Sequence, residues 1–158
     1  MRNFLLILIL GLSVFACKSV KIDKVEKQTE VLEDFVLYLE RTVCFGTCPV
    51  YTMTVNSRGK VTFHGIRNVD FMGNFEKNLS KKQVKRLAFL IDSGDFWKYD
   101  EVYDDENITD LPSFMTQCTH RGKTLKVLAR ANVPVELRSL QNKLEATVGL
   151  DGFSPIQD

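Results

Sequence analysis

The sequence predicts an α+β domain, an antiparallel sheet of two hairpins with two helices packed on one face. Three observations carry this expectation. Segments alternating between apolar and polar residues surround Asn56-Ser57-Arg58-Gly59 and His120-Arg121-Gly122, a capping-box signature opens an amphipathic run at Ser80, and a second amphipathic run follows Pro134. The chain has 158 residues, 44% hydrophobic and 26% charged, which is the length and composition of one folded domain. Twenty-one Lys and Arg against 20 Asp and Glu leave a formal charge of +1, so the bulk electrostatic footprint of a nucleic-acid binder is missing.

Residues 1–16 open with Met1, Arg2 and Asn3, continue as an apolar run from Phe4 to Phe15 and close on Ala16, the pattern of a secretory signal peptide. The run is shorter than the roughly 20 residues that span a bilayer. Val14-Phe15-Ala16-Cys17 resembles a bacterial lipobox, which implies that Cys17 carries diacylglycerol and becomes the mature N-terminus; the alternative is export without an anchor. Acyl chains contribute about 0.8 kcal/mol per buried CH₂ and hold such a protein at a membrane. Lys18 stands where an inner-membrane retention signal resembles Asp, and Lys18-Ser19-Val20-Lys21 lacks an acidic surface-export cluster. The expected address is therefore the outer membrane, on its periplasmic face. Residues 17–33 read as the lipidated cysteine and a tether, rich in Lys and Glu and without Gly, Pro or aromatic groups.

The folded domain is expected over residues 34–150, with 151–158 as a tail. Phe35, Leu37 and Leu39 alternate with Val36, Tyr38 and Glu40; Tyr51, Met53 and Val55 share one strand face, and Val61 and Phe63 share the face of the next strand after the Asn56 to Gly59 turn. Phe71 to Phe75 suggests a further short strand. Ser80 and Gln83 form the capping box of a helix whose stripe is Val84, Leu87, Ala88 and Ile91, with Gly94 as a left-handed stop. Ser113 to Thr119 and Lys123 to Arg130 read as a second hairpin. Leu137, Leu140, Leu144 and Val148 stripe the last helix, which Pro134 begins and Gly149 ends. Arg58-Gly59-Lys60 and Arg121-Gly122-Lys123 repeat one triplet, which fits a duplicated strand-strand-helix unit, although turn chemistry alone selects such triplets.

Chemistry concentrates in the cysteines. With Cys17 lipidated, Cys44, Cys48 and Cys118 remain. In an oxidising compartment the close pair Cys44 and Cys48 is a natural disulfide, a five-residue loop worth about 2 kcal/mol on the chain-entropy model. Two functional readings compete with a structural staple. Cys-x-x-x-Cys-Pro resembles the motif of SCO-type copper chaperones, with His64 or His120 as a third ligand, but there it leads into a helix and here into an alternating strand. Thiol-disulfide exchange ordinarily uses two intervening residues and a helix N-terminus.

The acidic run from Asp100 to Asp110 lacks EF-hand spacing and reads as a solvated loop, with Ca²⁺ as the alternative. Lys81, Lys82, Lys85 and Arg86 read as a solvated helix face that could also meet phosphate headgroups or an acidic partner. Phe96, Trp97, Tyr99 and Tyr103 read as core cover. No nucleophile elbow, zinc-protease helix, P-loop or dinucleotide fingerprint occurs, so no catalytic residue and no cofactor is assigned.

Cys44-Phe45-Gly46-Thr47-Cys48-Pro49-Val50-Tyr51, Val61 to Gly65, Tyr103 and Thr109-Asp110-Leu111-Pro112 together resemble an uncharacterised domain family of Bacteroidota lipoproteins, over residues 34–148. The resemblance implies an exported α+β domain with no assigned activity, a closed Cys44 and Cys48 pair and a separate Cys118. The function expected is a membrane-tethered, non-enzymatic binding or structural module of the bacterial envelope with an envelope protein as partner. The alternative is copper handling or thiol redox chemistry at Cys44 and Cys48.

Overall fold

The computed structural model describes residues 32–157; the expected signal peptide, Cys17 and the tether as far as residue 31 lie outside the described residues. Eight strands and two helices are found among them. The strands are β1 (Val36–Arg41), β2 (Val50–Asn56), β3 (Lys60–Arg67), β4 (Gly73–Asn78), β5 (Val102–Tyr103), β6 (Phe114–His120), β7 (Lys123–Ala129) and β8 (Ser154–Pro155). Helix α1 spans Lys81–Ser93, a single 3₁₀ turn follows at Phe96–Lys98, and helix α2 spans Val135–Val148. All strands join one sheet in the order β5-β7-β6-β1-β2-β3-β4-β8, antiparallel except where β5 runs parallel to β7. The two expected hairpins flank β1 in mirrored order, β2 and β6 inside, β3 and β7 outside.

Alternation decides which face is covered. Phe35, Leu37 and Leu39 face inward with Tyr51, Met53 and Val55, with Val61 and Phe63, and with Cys118 and Val127, and all belong to one core with the stripes of both helices. Their neighbours Tyr38, Thr52, Thr54, Thr62, His64 and Gln117 lie on the open face, which no helix among the described residues covers. On that face Tyr38 donates to Glu40 Oε2 at 2.7 Å, and partial burial together with Glu40 raises its phenol pKa to about 12.

The first helix starts as its residues dictate. Gln83 N donates to Ser80 Oγ at 3.3 Å, and Gln83 Oε1 accepts from Ser80 N at 3.0 Å, closing both halves of the capping box. Its stop differs from expectation. Gly94 has an ordinary φ of −87°, and the left-handed residue is Asp95, at φ 48°. Glycine is needed at 94 for space, because a Cβ there would sit 2.9 Å from Leu140 Cδ2 and 2.8 Å from Leu90 O. That close approach lets α1 and α2 pack against each other. Gly65 answers the same kind of demand in β3, where a Cβ would lie 1.8 Å from Phe71 O as the following turn folds back.

Residues beyond 150 are more than a tail. Ser154 pairs with Glu76 and Pro155 with Phe75, while Phe153 is buried and stacks on Phe63 with ring centroids 4.7 Å apart. Proline is admissible there because β8 is an edge strand. Gly94→Ala is expected to cost about 1–3 kcal/mol by overpacking the helix contact, read as a lower urea midpoint at unchanged m-value; an unchanged midpoint would show that the α1 end has room.

Candidate functional site

The family-like segments are far apart in sequence but meet at one end of the sheet. β1 ends at Arg41 and β2 begins at Val50, so the Cys44–Cys48 loop crowns the two central strands. Thr42 N donates to Ser113 O at 3.1 Å and Ser113 N donates to Thr42 Oγ1 at 2.8 Å, which brings the Thr109 to Pro112 segment alongside. Asn68 Nδ2 donates to Cys48 O at 3.0 Å and ties in the turn after β3. Tyr51 faces Gly65 across the β2–β3 pair, with Ile66 the extra residue of a bulge. Tyr103 pairs with Ala129 at the same end of β7.

Cys44 and Cys48 are joined by a disulfide with Cα atoms 5.8 Å apart. The ring presents Phe45 at 93% exposure, and Val43, Ile66, Met72 and Leu111, all exposed, lie on the segments that meet around it. A phenylalanine so exposed contributes almost nothing to the core, and its packing does not explain its presence in the loop.

Beneath the loop lies a polar cluster that the sequence did not announce. Glu145, near the C-terminal end of α2, receives Arg41 Nε on Oε1 at 2.5 Å and Arg41 Nη2 on Oε2 at 2.8 Å, and Tyr51 Oη donates to Oε1 as well. The Arg41 guanidinium also lies 4.0 Å from the Phe114 ring centroid. Burial works against the Arg41 charge, but the bond and charge of Glu145 outweigh it and raise the pKa. Burial and then Glu145 raise the Tyr51 phenol, so it stays a hydrogen-bond donor at all working pH values. The arrangement clamps helix to sheet.

The proposed metal ligands do not converge. Cys44 and Cys48 are spent in the disulfide, His64 lies on the open face with Nδ1 2.7 Å from Asn74 Oδ1, and His120 sits beyond the other end of β1, roughly 20 Å from the loop at about 3.3 Å per strand residue. Among the described residues no three His, Cys, Asp or Glu side chains come together as a metal site. The ligand set of the copper reading is therefore not assembled here, since His64 on β3 and His120 at the end of β6 stand apart from each other and from the loop.

His120 ends β6 beside the Arg121–Gly122 turn and is fully buried. It packs edge-on to Phe35 with centroids 5.6 Å apart, with Nδ1 3.8 Å from Asp34 and Nε2 3.8 Å from Asp92, and neither nitrogen has a hydrogen-bond partner among the described residues. Asp34 spends its oxygens on Arg121 N at 3.0 Å and Gly122 N at 2.5 Å, and those backbone bonds, Gly122 first, hold its carboxyl below the usual range. Cys118 points into the core, where burial pushes its thiol up to about 12, so it is a poor thiolate for redox chemistry.

The acidic run is organised by protein groups. Arg130 Nε pairs with Asp104, Arg130 Nη2 donates to Asp105 O at 3.1 Å, and Asp105 Oδ1 accepts from Asn107 N and Nδ2, both at 3.0 Å. Phe96 and Tyr99 are buried and Trp97 is packed against the core, as core cover. A surface groove of about 410 Å³ between the facing ends of the helices is lined by Leu90, Tyr99, Val135, Glu136 and Leu140.

Cys44→Ser with Cys48→Ser is expected to lower unfolding free energy by about 2 kcal/mol, the closure entropy of a five-residue loop, in chemical denaturation of oxidised protein. Equal stability of variant and parent would mean that the ring contributes nothing to folding.

No curated protein matches the chain. A family profile described as a domain of unknown function, DUF6438, matches residues 35–148, which takes in the cysteine loop, the central strands and both helices. The chain belongs to that DUF6438 domain family.

Proposed function

We propose that this chain is a membrane-tethered, non-enzymatic binding module of the bacterial cell envelope, held at the periplasmic face of the outer membrane by lipid on Cys17, and that its recognition element is the Cys44–Cys48 loop. The observation that carries the reading is Phe45, 93% exposed in a disulfide-closed ring at the end of the sheet where the family-like segments meet. Burying a phenylalanine in a partner is worth about 1.5–3 kcal/mol. A loop already closed by a covalent bond loses little further freedom on binding, so more of that gain appears as affinity. Exposed Val43, Met72 and Leu111 suit the surround of such an anchor. The partner chemistry is a protein with an apolar pocket.

The tether reading comes from the lipobox-like Val14-Phe15-Ala16-Cys17, and intact mass of membrane-extracted protein tests it; an N-terminus without acyl mass would remove the anchor. The recognition reading is tested by a photo-crosslinking residue placed at Phe45 and, in parallel, at Lys126 on the open face, in intact cells. A discrete adduct from position 45 alone is expected. Equal labelling from both positions, or labelling from 126 only, would move the binding surface away from the loop.

A further inference from the structure

The solvent face of α1 has a composition that helix stability does not require. At about 100° per residue, Lys82, Lys85, Arg86 and Phe89 fall within one sector of about 100°, opposite the buried Val84, Leu87, Ala88 and Ile91. Among the described residues none of Lys81, Lys82, Lys85 and Arg86 has an ion-pair partner. The helix macrodipole disfavours lysines in the first turn, and no acidic residue stands there to balance them. Phe89, 57% exposed, lies at the centre of the sector with the Arg86 guanidinium 5.3 Å from its ring centroid. The nearest acid on the helix, Asp92, is turned to His120 and to Arg121 Nη1 at 3.2 Å.

Position adds a second argument. Asp34, where the chain enters the domain, caps the β6–β7 turn beside His120, and the end of α1 reaches that same histidine. The first helix therefore runs along the end of the sheet at which the described residues begin, with the Cys44–Cys48 loop at the other end. An anchor at Cys17 keeps that end near the bilayer at high effective concentration, so even a weak attraction would orient the domain.

We propose that the solvent face of α1 docks the domain on an anionic lipid surface, with Lys82, Lys85 and Arg86 meeting headgroup phosphates and Phe89 entering the interface between them, while the disulfide loop stays off the bilayer. An exposed cationic face around an aromatic group is the chemistry of interfacial helices, and each lysine or arginine near such a surface is worth about fivefold in affinity, so three together shift the bound-to-free ratio about a hundredfold. The placement rests on the tether reading; the attraction does not.

The test uses the full chain reconstituted in vesicles of brominated phosphatidylcholine with or without phosphatidylglycerol. Phe89→Trp in a Trp97→Phe background reports contact by quenching, and Phe45→Trp in the same background reports the other end. Quenching at 89 is expected on anionic vesicles only, is lost at high salt and is lost in Lys82→Glu/Lys85→Glu/Arg86→Glu, while the corresponding Lys-to-Arg variant keeps it and position 45 stays unquenched. Equal quenching on neutral vesicles, quenching kept by the charge-reversed variant, quenching at 45 in place of 89, or none at either position would overturn the proposal, the last being the result if this face meets an acidic protein. Acyl mass with no quenching sinks this proposal alone, and quenching without acyl mass sinks the tether alone.

Discussion

The carboxylate of Glu145 is the constraint on which the rest of the site depends. It stands near the C-terminal end of a helix, where the macrodipole disfavours a negative charge by about 0.3–1 kcal/mol, and it is largely shielded from water. Such a group persists only when its lone pairs are taken, and Arg41 and Tyr51 take them from the two central strands. Arg41 is the last residue of β1 and Tyr51 the second of β2, so the same cluster fixes both stems from which the Cys44–Cys48 loop rises. The disulfide then closes the loop on a base that the helix already holds, with Phe45 exposed within the ring.

One-sided packing turns that local arrangement into a molecule with two different ends. Both helices cover one sheet face, the other face is mostly polar, and β1 runs from the buried His120 region to the disulfide loop. At the His120 end the chain enters the domain; at the loop end the exposed apolar groups gather. Under the proposed function a tethered binding module gains from this polarity, because the proposed recognition loop is remote from the end at which the proposed anchor segment joins the domain.

Long amphipathic elements were legible because their periodicity is local. The capping box of Ser80 and Gln83, the stripe of α1 and α2, and the inward sets of β1, β2 and β3 all follow from spacing within a few residues. The boundaries of β4 were not, since Gly73–Asn78 carries one large apolar residue, Phe75, at the sheet edge. Two-residue β5 and β8 have no period to detect, and Phe153 joins the core only through rings at Phe63 and Phe71. Gly94 read as a stop by left-handed geometry, whereas the demand on it comes from Leu140 on the other helix. Nothing local marks Glu145, because its partner Arg41 is 104 residues away, and the burial of His120 depends on Phe35 and on the packing of α1 over the sheet. The site was therefore half visible: its cysteines in the sequence, its foundation only in the fold.

A double-mutant cycle between Tyr51→Phe and the paired Cys44→Ser/Cys48→Ser change, read as unfolding free energy in urea, tests most directly whether loop and clamp act as one unit. The account predicts a coupling of about 0.5 kcal/mol or more, the range found for residues that share a network. Strict additivity would contradict it, because the disulfide loop would then stand on the sheet without mechanical support from Glu145.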